Sequence, residues 1–210
     1  MKRKESCKTC RRLGEKLFLK GEKCLSPKCV LIKKNYPPGA RGKRKKGSLT
    51  EYGANLQEAQ KIRNWYGITK TQFKNYVEET LASHGKVKDL SEFLIQKLEK
   101  RLDNIVFRLG FASSRQGARQ MVSHGHFLVN GRPVDIPSIE LKVGDKISLK
   151  ESAKKKTMFK NLSLTIKKYE VPAWLKLDKE KLEGELVREP TLQEIQLPAE
   201  VSSVFEFYSK

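Results

Sequence analysis

The chain of 210 residues has no apolar run long enough to cross a bilayer, so no membrane-spanning helix is expected. The opening Met1-Lys2-Arg3-Lys4-Glu5 is basic, but no apolar stretch follows it. A secretory leader is therefore not expected, and the expected compartment is the cytoplasm. Acidic residues are scarce beside the bases, 24 Asp and Glu against 44 Lys and Arg. There are three histidines, and the four cysteines all lie before residue 30. No GxSxG, P-loop or HExxH pattern occurs, there is no internal repeat, and the carboxylates are scattered along charged faces. Catalysis needs convergent polar groups in a pocket, so these absences argue against an enzyme.

What is present is positive charge, a formal net of +20. Such an excess repels itself unless a polyanion neutralises it, and nucleic acid is the natural partner because Lys and Arg displace counterions from phosphate. The excess is uneven: residues 1–50 carry +14, residues 51–171 carry +9, and residues 172–210 carry −3. The amino end is the strongest polyanion binder, and the acidic tail faces protein or packs on the body.

The cysteines Cys7, Cys10, Cys24 and Cys29 are spaced C-x2-C-x13-C-x4-C. Two close pairs joined by about a dozen residues suit a tetrahedral four-thiolate zinc site with no open position, hence structural rather than catalytic. Lys8, Arg11, Lys23 and Lys28 favour thiolate over thiol. Two disulfides would suit a secreted protein, four free thiols so regularly placed would be an odd coincidence, and an iron–sulfur cluster is a further alternative. Residues 1–34 read as loop-like and in need of such a staple. Residues 35–48, NYPPGARGKRKKGS, read as an extended basic arm; a disordered solubilising run is the plainer reading of it, but its place between the cysteines and the folded body favours phosphate contact by Arg41, Lys43, Arg44, Lys45 and Lys46.

Helical periodicity begins at Asn55, with Leu56, Ala59, Ile62 and Trp65-Tyr66 ended by Gly67. Phe73, Val77 and Leu81 mark a second helix, and Asp89 to Leu109 a longer one. The run 101–125, RLDNIVFRLGFASSRQGARQMVSHG, carries the second chemical signal. Arg101 and Arg108 lie on the long helix. Ser113 and Ser114 open a short one in a capping-box pattern, where free N–H groups attract phosphate. Arg115 and Arg119 stand at i, i+4, with Gln120, Ser123 and His124 beside them. Asn130-Gly131 between short apolar runs is a strong hairpin signal. A basic helix pair beside a small sheet suits A-form RNA, which is recognised by shape and phosphate. A solvated charged face is the plainer reading of any single arginine; the cluster as a unit favours RNA. His124 and His126 lack acidic or cysteine companions, which points to structural or stacking roles. Tyr36 and Trp174 are candidates for base stacking, whereas Trp65 and Tyr66 sit on an apolar stripe and belong to the core. A helix is expected near 157–168, an irregular tail from Val171, and a strand at 204–208.

The expected architecture is α+β: a helical domain with an inserted small helix-plus-β-hairpin RNA-binding module and an N-terminal zinc-stapled extension. Residues 1–48 form the zinc-binding extension and basic arm, 49–98 plus 165–210 the mainly helical body with its tail, and 99–164 the module.

Several segments resemble the small-subunit ribosomal protein four family in its zinc-bearing bacterial form. They are Cys7-Lys8-Thr9-Cys10-Arg11-Arg12, Ser26-Pro27-Lys28-Cys29, Tyr36-Pro37-Pro38-Gly39, Gln72-Phe73-Lys74-Asn75-Tyr76 and Arg101-Leu102-Asp103-Asn104. The runs from Ala118 to Gly125, Val129 to Arg132 and Phe205 to Lys210 resemble it too, so the likeness spans nearly the whole chain. It implies a structural component of the small subunit that binds a five-prime-domain junction of ribosomal RNA and nucleates assembly. It further implies contacts with small-subunit protein five and with messenger RNA where it enters the subunit, a contribution to decoding accuracy, and an arm, Arg41 to Lys46, facing RNA. The family's usual Pro-Gly-Gln-His-Gly is here Pro38-Gly39-Ala40-Arg41-Gly42, so contacts of that histidine do not carry over. The rival readings are an RNA-modifying or aminoacylating enzyme bearing the same module, and a free ribosome-associated factor. For the enzymes, the residues left outside the module are too few to build a catalytic domain.

Overall fold

A computed structural model describes residues 6–39, 47–159, 162–167 and 169–209. The helices run α1 (Ser6–Leu13), α2 (Glu22–Leu25), α3 (Val30–Lys33), α4 (Glu51–Tyr66), α5 (Lys70–Ala82), α6 (Leu90–Glu99), α7 (Leu102–Arg108), α8 (Arg115–Ser123), α9 (Glu151–Lys154), α10 (Leu162–Lys167) and α11 (Ser202–Ser209). The strands are β1 (Phe127–Val129), β2 (Arg132–Val134), β3 (Lys146–Leu149), β4 (Leu175–Asp178) and β5 (Glu183–Leu186). The chain divides into two compact units, Met1–Leu94 with Gln196–Lys210, and Ile95–Ile195.

The first unit is helical. Thr50 caps α4 by accepting from the Gly53 N–H at 3.2 Å, and Gly67 ends it in the left-handed conformation at φ 70°. Ala59, Ile62, Trp65 and Tyr66 bury one stripe of α4, and Phe73 and Val77 one stripe of α5. Helix α11 packs on both. Asn55 donates to Glu206 at 2.9 Å, and the Tyr52–Phe207 and Phe73–Tyr208 rings lie 5.3 and 6.0 Å apart. The expected strand at 204–208 is thus a helix. Val204, Phe207 and Tyr208 stand at i, i+3 and i+4, and that spacing, not alternation, brings all three to the body. The expected loop-like amino end contains three short helices, with Leu13, Leu17 and Leu19 buried among them.

The second unit is a five-stranded antiparallel sheet, order β2-β1-β3-β5-β4, packed with α7 and α8. Asn130 and Gly131 take φ 49° and 77°, the pair of positive values a tight two-residue hairpin requires. The core joins Ile105, Val106 and Leu109 of α7, Ala118 and Val122 of α8, Phe127 of β1, Ile147 and Leu149 of β3, Leu186 and Trp174. Burial of each large side chain contributes about 1.5–3 kcal/mol.

Four expectations are corrected in this unit. The long helix from Asp89 breaks at Lys100-Arg101, because the Leu102 N–H bonds to Ile139 at 2.8 Å and the Leu141 N–H to Lys100 at 2.9 Å. These bonds to the 139–141 segment replace helical ones. The tail from Val171 is not irregular, because β5 pairs with β3, Ile147 opposite Gly184, and carries β4 with it. Residues 165–195, expected with the helical body, therefore belong to the second unit. The helix near 157–168 is a 3-10 turn at Thr157–Phe159 and then α10.

Candidate nucleic-acid interface

Four cysteines and a cluster of arginines are the chemical features of the chain, one in each unit. Cys10 and Cys7 stand one turn apart on α1, Cys24 lies in α2, and Cys29 caps α3. None of the four is in a disulfide; Cys10, Cys24 and Cys29 are buried and Cys7 is half-buried. Burial pushes the Cys10 thiol up; a backbone hydrogen bond from Leu17 opposes this, and Cys24, Cys7 and Cys29 are near enough to add to it. The Lys20 N–H reaches the Cys24 sulfur at 3.4 Å. Among the described residues no group of three or more His, Cys, Asp and Glu is set as metal ligands. Backbone N–H groups are turned toward two of the sulfurs, that of Lys20 toward Cys24 and that of Leu17 toward Cys10.

The same extension carries a feature that sequence reasoning missed. Arg11 Nε donates to the Lys34 and Tyr36 carbonyls at 3.1 and 2.9 Å, and Nη2 to Pro37 at 3.3 Å. Its guanidinium lies 4.8 Å from the Tyr36 ring centroid, so Tyr36 is occupied by this contact. Arg11 thereby ties the chain leading to the basic arm back onto α1. Arg41, Lys43, Arg44, Lys45 and Lys46, named for phosphate contact, lie outside the described residues.

In the second unit the arginines converge on two buried carboxylates. Glu99 is fully buried and receives Arg108 through Nε at 3.0 Å and Nη2 at 2.7 Å. Asn104 donates to the Glu99 carboxylate and to its carbonyl, the latter at 3.2 Å. The other end of the Asn104 amide accepts from Arg115 Nε at 2.8 Å. Arg115 lies over Phe107, 4.6 Å from guanidinium carbon to ring centroid, with Nη2 4.0 Å from Glu99. Asp103 is paired with Arg101 through Nε at 3.1 Å and Nη2 at 2.8 Å, and with Arg119 at 3.4 Å. Tyr169 stands beside Arg108 and Arg115; burial pushes its phenol up, and the two guanidinium groups pull the other way.

The named residues therefore divide. Arg101 is 0% exposed and held by Asp103, so the expectation that it contacts RNA gives way to a scaffold role. Arg108, Arg115 and Arg119 keep partly open side chains, 18%, 10% and 27% exposed, on one cluster. Ser114, not Ser113, caps α8, accepting from the Gly117 N–H at 3.2 Å, and the capping-box partner is absent because the position three residues on is glycine. Ser113, Gln120, Ser123 and His124 are exposed on the same helix or its ends. His126 is buried against Phe159, rings 5.8 Å apart, and Trp174 belongs to the core rather than to a stacking platform. Sequence reasoning missed Glu99, Asp103 and Asn104 as organisers. Glu99 was signalled by its place next to Leu98 in the apolar stripe that runs to Leu102, where an acid needs a buried cation.

The fold and this cluster define a basic α+β protein with an arginine cluster organised by buried carboxylates. Comparison with known sequences makes that class specific. Residues 2–99 match the ribosomal protein S4/S9 N-terminal domain and residues 100–147 the S4 domain. The chain is similar to small ribosomal subunit protein uS4 of Caldicellulosiruptor bescii, 46% identical over 97% of this chain and 96% of that one. The same protein of Thermoanaerobacter pseudethanolicus is 46% identical and that of Clostridioides difficile 44%, each over 98% of this chain and 97% of the relative. The chain belongs to the ribosomal protein S4 family.

Proposed function

We propose that this chain is a structural protein of the small ribosomal subunit, not an enzyme, and that it binds small-subunit ribosomal RNA through its second unit. The observation that carries the reading is the convergence of Arg108, Arg115 and Arg119 on one partly open face inside the segment that matches the S4 domain. Guanidinium groups are suited to phosphate by their fork geometry, and a helix pair beside a hairpin presents them across an A-form groove. Family membership supports the same reading, since the relatives are small-subunit proteins by name, and in the subunit the chain works in the cytoplasm.

The finer reading is that the protein binds a junction in the five-prime domain of the ribosomal RNA and nucleates assembly there. The arm Arg41 to Lys46 then reaches messenger RNA where it enters the subunit, small-subunit protein five is the protein neighbour, and decoding accuracy depends on both. A zinc ion held by Cys7, Cys10, Cys24 and Cys29 fixes the amino-terminal extension. The C-x2-C-x13-C-x4-C spacing and the burial of three of the sulfurs support it.

The test is binding to an isolated five-prime-domain RNA fragment, with an unrelated structured RNA of equal length as competitor, across a salt series. A preference for the junction that survives moderate salt supports the reading. Equal, steeply salt-sensitive binding to both leaves a non-specific RNA binder. Recovery in the supernatant rather than with small subunits would point to a free factor.

A further inference from the structure

The arginines of the proposed RNA face are held by acids that nothing in RNA recognition itself calls for. Glu99, the last residue of α6, is entirely buried, and Asp103, in the first turn of α7, is nearly so. Each carboxylate grips one arginine with two hydrogen bonds, Glu99 with Arg108 and Asp103 with Arg101. Each also reaches a second arginine less closely, Arg115 at 4.0 Å from Glu99 and Arg119 at 3.4 Å from Asp103. Those second arginines are the i, i+4 pair of α8. Asn104 completes the linkage, donating to Glu99 and accepting from Arg115, and Phe107 supports the flat face of Arg115.

A buried ion pair is a poor device for stability alone, because desolvating the charges offsets their attraction and apolar side chains of the same volume often do as well. Its better-attested use is to fix one geometry among several. A long arginine side chain that is mobile before binding loses rotamer freedom when it meets phosphate, and that loss weakens binding; a side chain already held loses little. We infer that Glu99 and Asp103 are positioning residues for RNA recognition, which hold Arg115 and Arg119 in their RNA-competent rotamers before RNA arrives. The inference rests on the RNA-binding reading above.

Two measurements test it. The first is binding of Glu99→Gln to the five-prime-domain fragment and to the unrelated RNA, expressed per folded molecule. The substitution removes a negative charge beside the RNA face, so simple Coulomb attraction would tighten binding to both RNAs. The expected result is the reverse, binding to the five-prime fragment about tenfold weaker with binding to the unrelated RNA unweakened. Unchanged or tighter binding to the five-prime fragment overturns the inference. The second uses the unaltered protein, and so decides the matter if the variant does not fold. In ¹⁵N relaxation of the arginine Nε–Hε groups without RNA, Arg115 and Arg119 are expected near the rigid-backbone order parameter of about 0.85, with little change on adding RNA. Values below about 0.6 in the free protein overturn it. If the unaltered protein shows no preference between the two RNAs, it is the RNA reading that fails, whatever the relaxation shows.

Discussion

Arg101 and Asp103, two residues apart, are joined by two hydrogen bonds of 3.1 and 2.8 Å beneath the surface of the second unit. The arrangement is possible because the chain is extended at Arg101 and helical from Leu102, so both side chains turn to the same side. Removing Arg101 leaves a buried carboxylate with less compensation. Arg101→Ala should therefore destabilise the second unit by about 3–5 kcal/mol. Arg101→Lys should rescue it poorly, because a point charge cannot form the fork. Denaturant unfolding checks this. A loss of RNA affinity with stability intact would show that Arg101 is a contact after all.

Arg119 and Arg115 differ in a way that separates binding from folding. The Arg119 side chain is 27% exposed and its described link is one longer contact with Asp103, whereas Arg115 is 10% exposed and bonded to Asn104. Arg119→Ala should weaken RNA binding and lower the salt slope by about one, with melting temperature nearly unchanged. Arg115→Ala should do both that and destabilise the unit. Equal effects of the two on melting temperature would contradict the difference in burial.

Gly184 faces Leu109 across the core, where an added Cβ would stand 2.7 Å from Leu109 Cδ2 and 3.0 Å from Cγ. Leu109 is fully buried, so its side chain can give way only by disturbing the packing around it. Gly184→Ala should cost about 1–3 kcal/mol by overpacking, and the register of β5 on β3 should loosen with it. Hydrogen exchange at Lys146 to Ser148 reads the register. Unchanged protection there, with full stability, would mean that the helix can shift.

Elements closed by local chemistry were legible in the sequence. Gly67 ends α4, Ser114 starts α8, and Asn130-Gly131 makes the hairpin, each because a neighbouring residue demands that geometry. Elements fixed by distant partners were not. The break at Arg101 depends on residues 139–141, and β4 and β5 exist because β3 has a free side for them. The same holds at the site. The arginines announced themselves by spacing, but their partition into buried and open depends on Glu99 and Asp103, whose roles follow from the break between α6 and α7.

The proposed zinc site makes a separable prediction. Native protein should contain about one equivalent of zinc by elemental analysis, and Cys24→Ser should lose it. The loss should loosen residues around α1 to α3 while β1 to β5 keep their amide protection, since the cysteines and the sheet lie in different units. Protein that is free of zinc as purified and fully ordered at its amino end would dispose of the site.

His126 provides the pH dependence of the second unit. Its imidazole is pushed below the ordinary value, first by burial and then by Lys156, His124 and Lys150, with no carboxylate among the groups acting on it. The native state therefore disfavours the protonated ring, and in mild acid the unfolded chain binds more protons than the folded one. Stability is complete above the ordinary imidazole pKa of about 6.5 and is lost as pH falls through that value toward the lower folded one. Lys150 cannot relieve the conflict, because its backbone N–H holds the His126 carbonyl at 3.0 Å and its ammonium projects toward Gly125. Unfolding followed by Trp174 fluorescence in a Trp65→Phe background reads this unit, since Trp174 is buried in its core. The midpoint should fall between pH 7.5 and 5.5, and His126→Gln should flatten that fall. An equal slope in the two proteins would assign the acid sensitivity elsewhere, and a midpoint that rises in acid would reverse the sign argued from burial and the neighbouring positive groups.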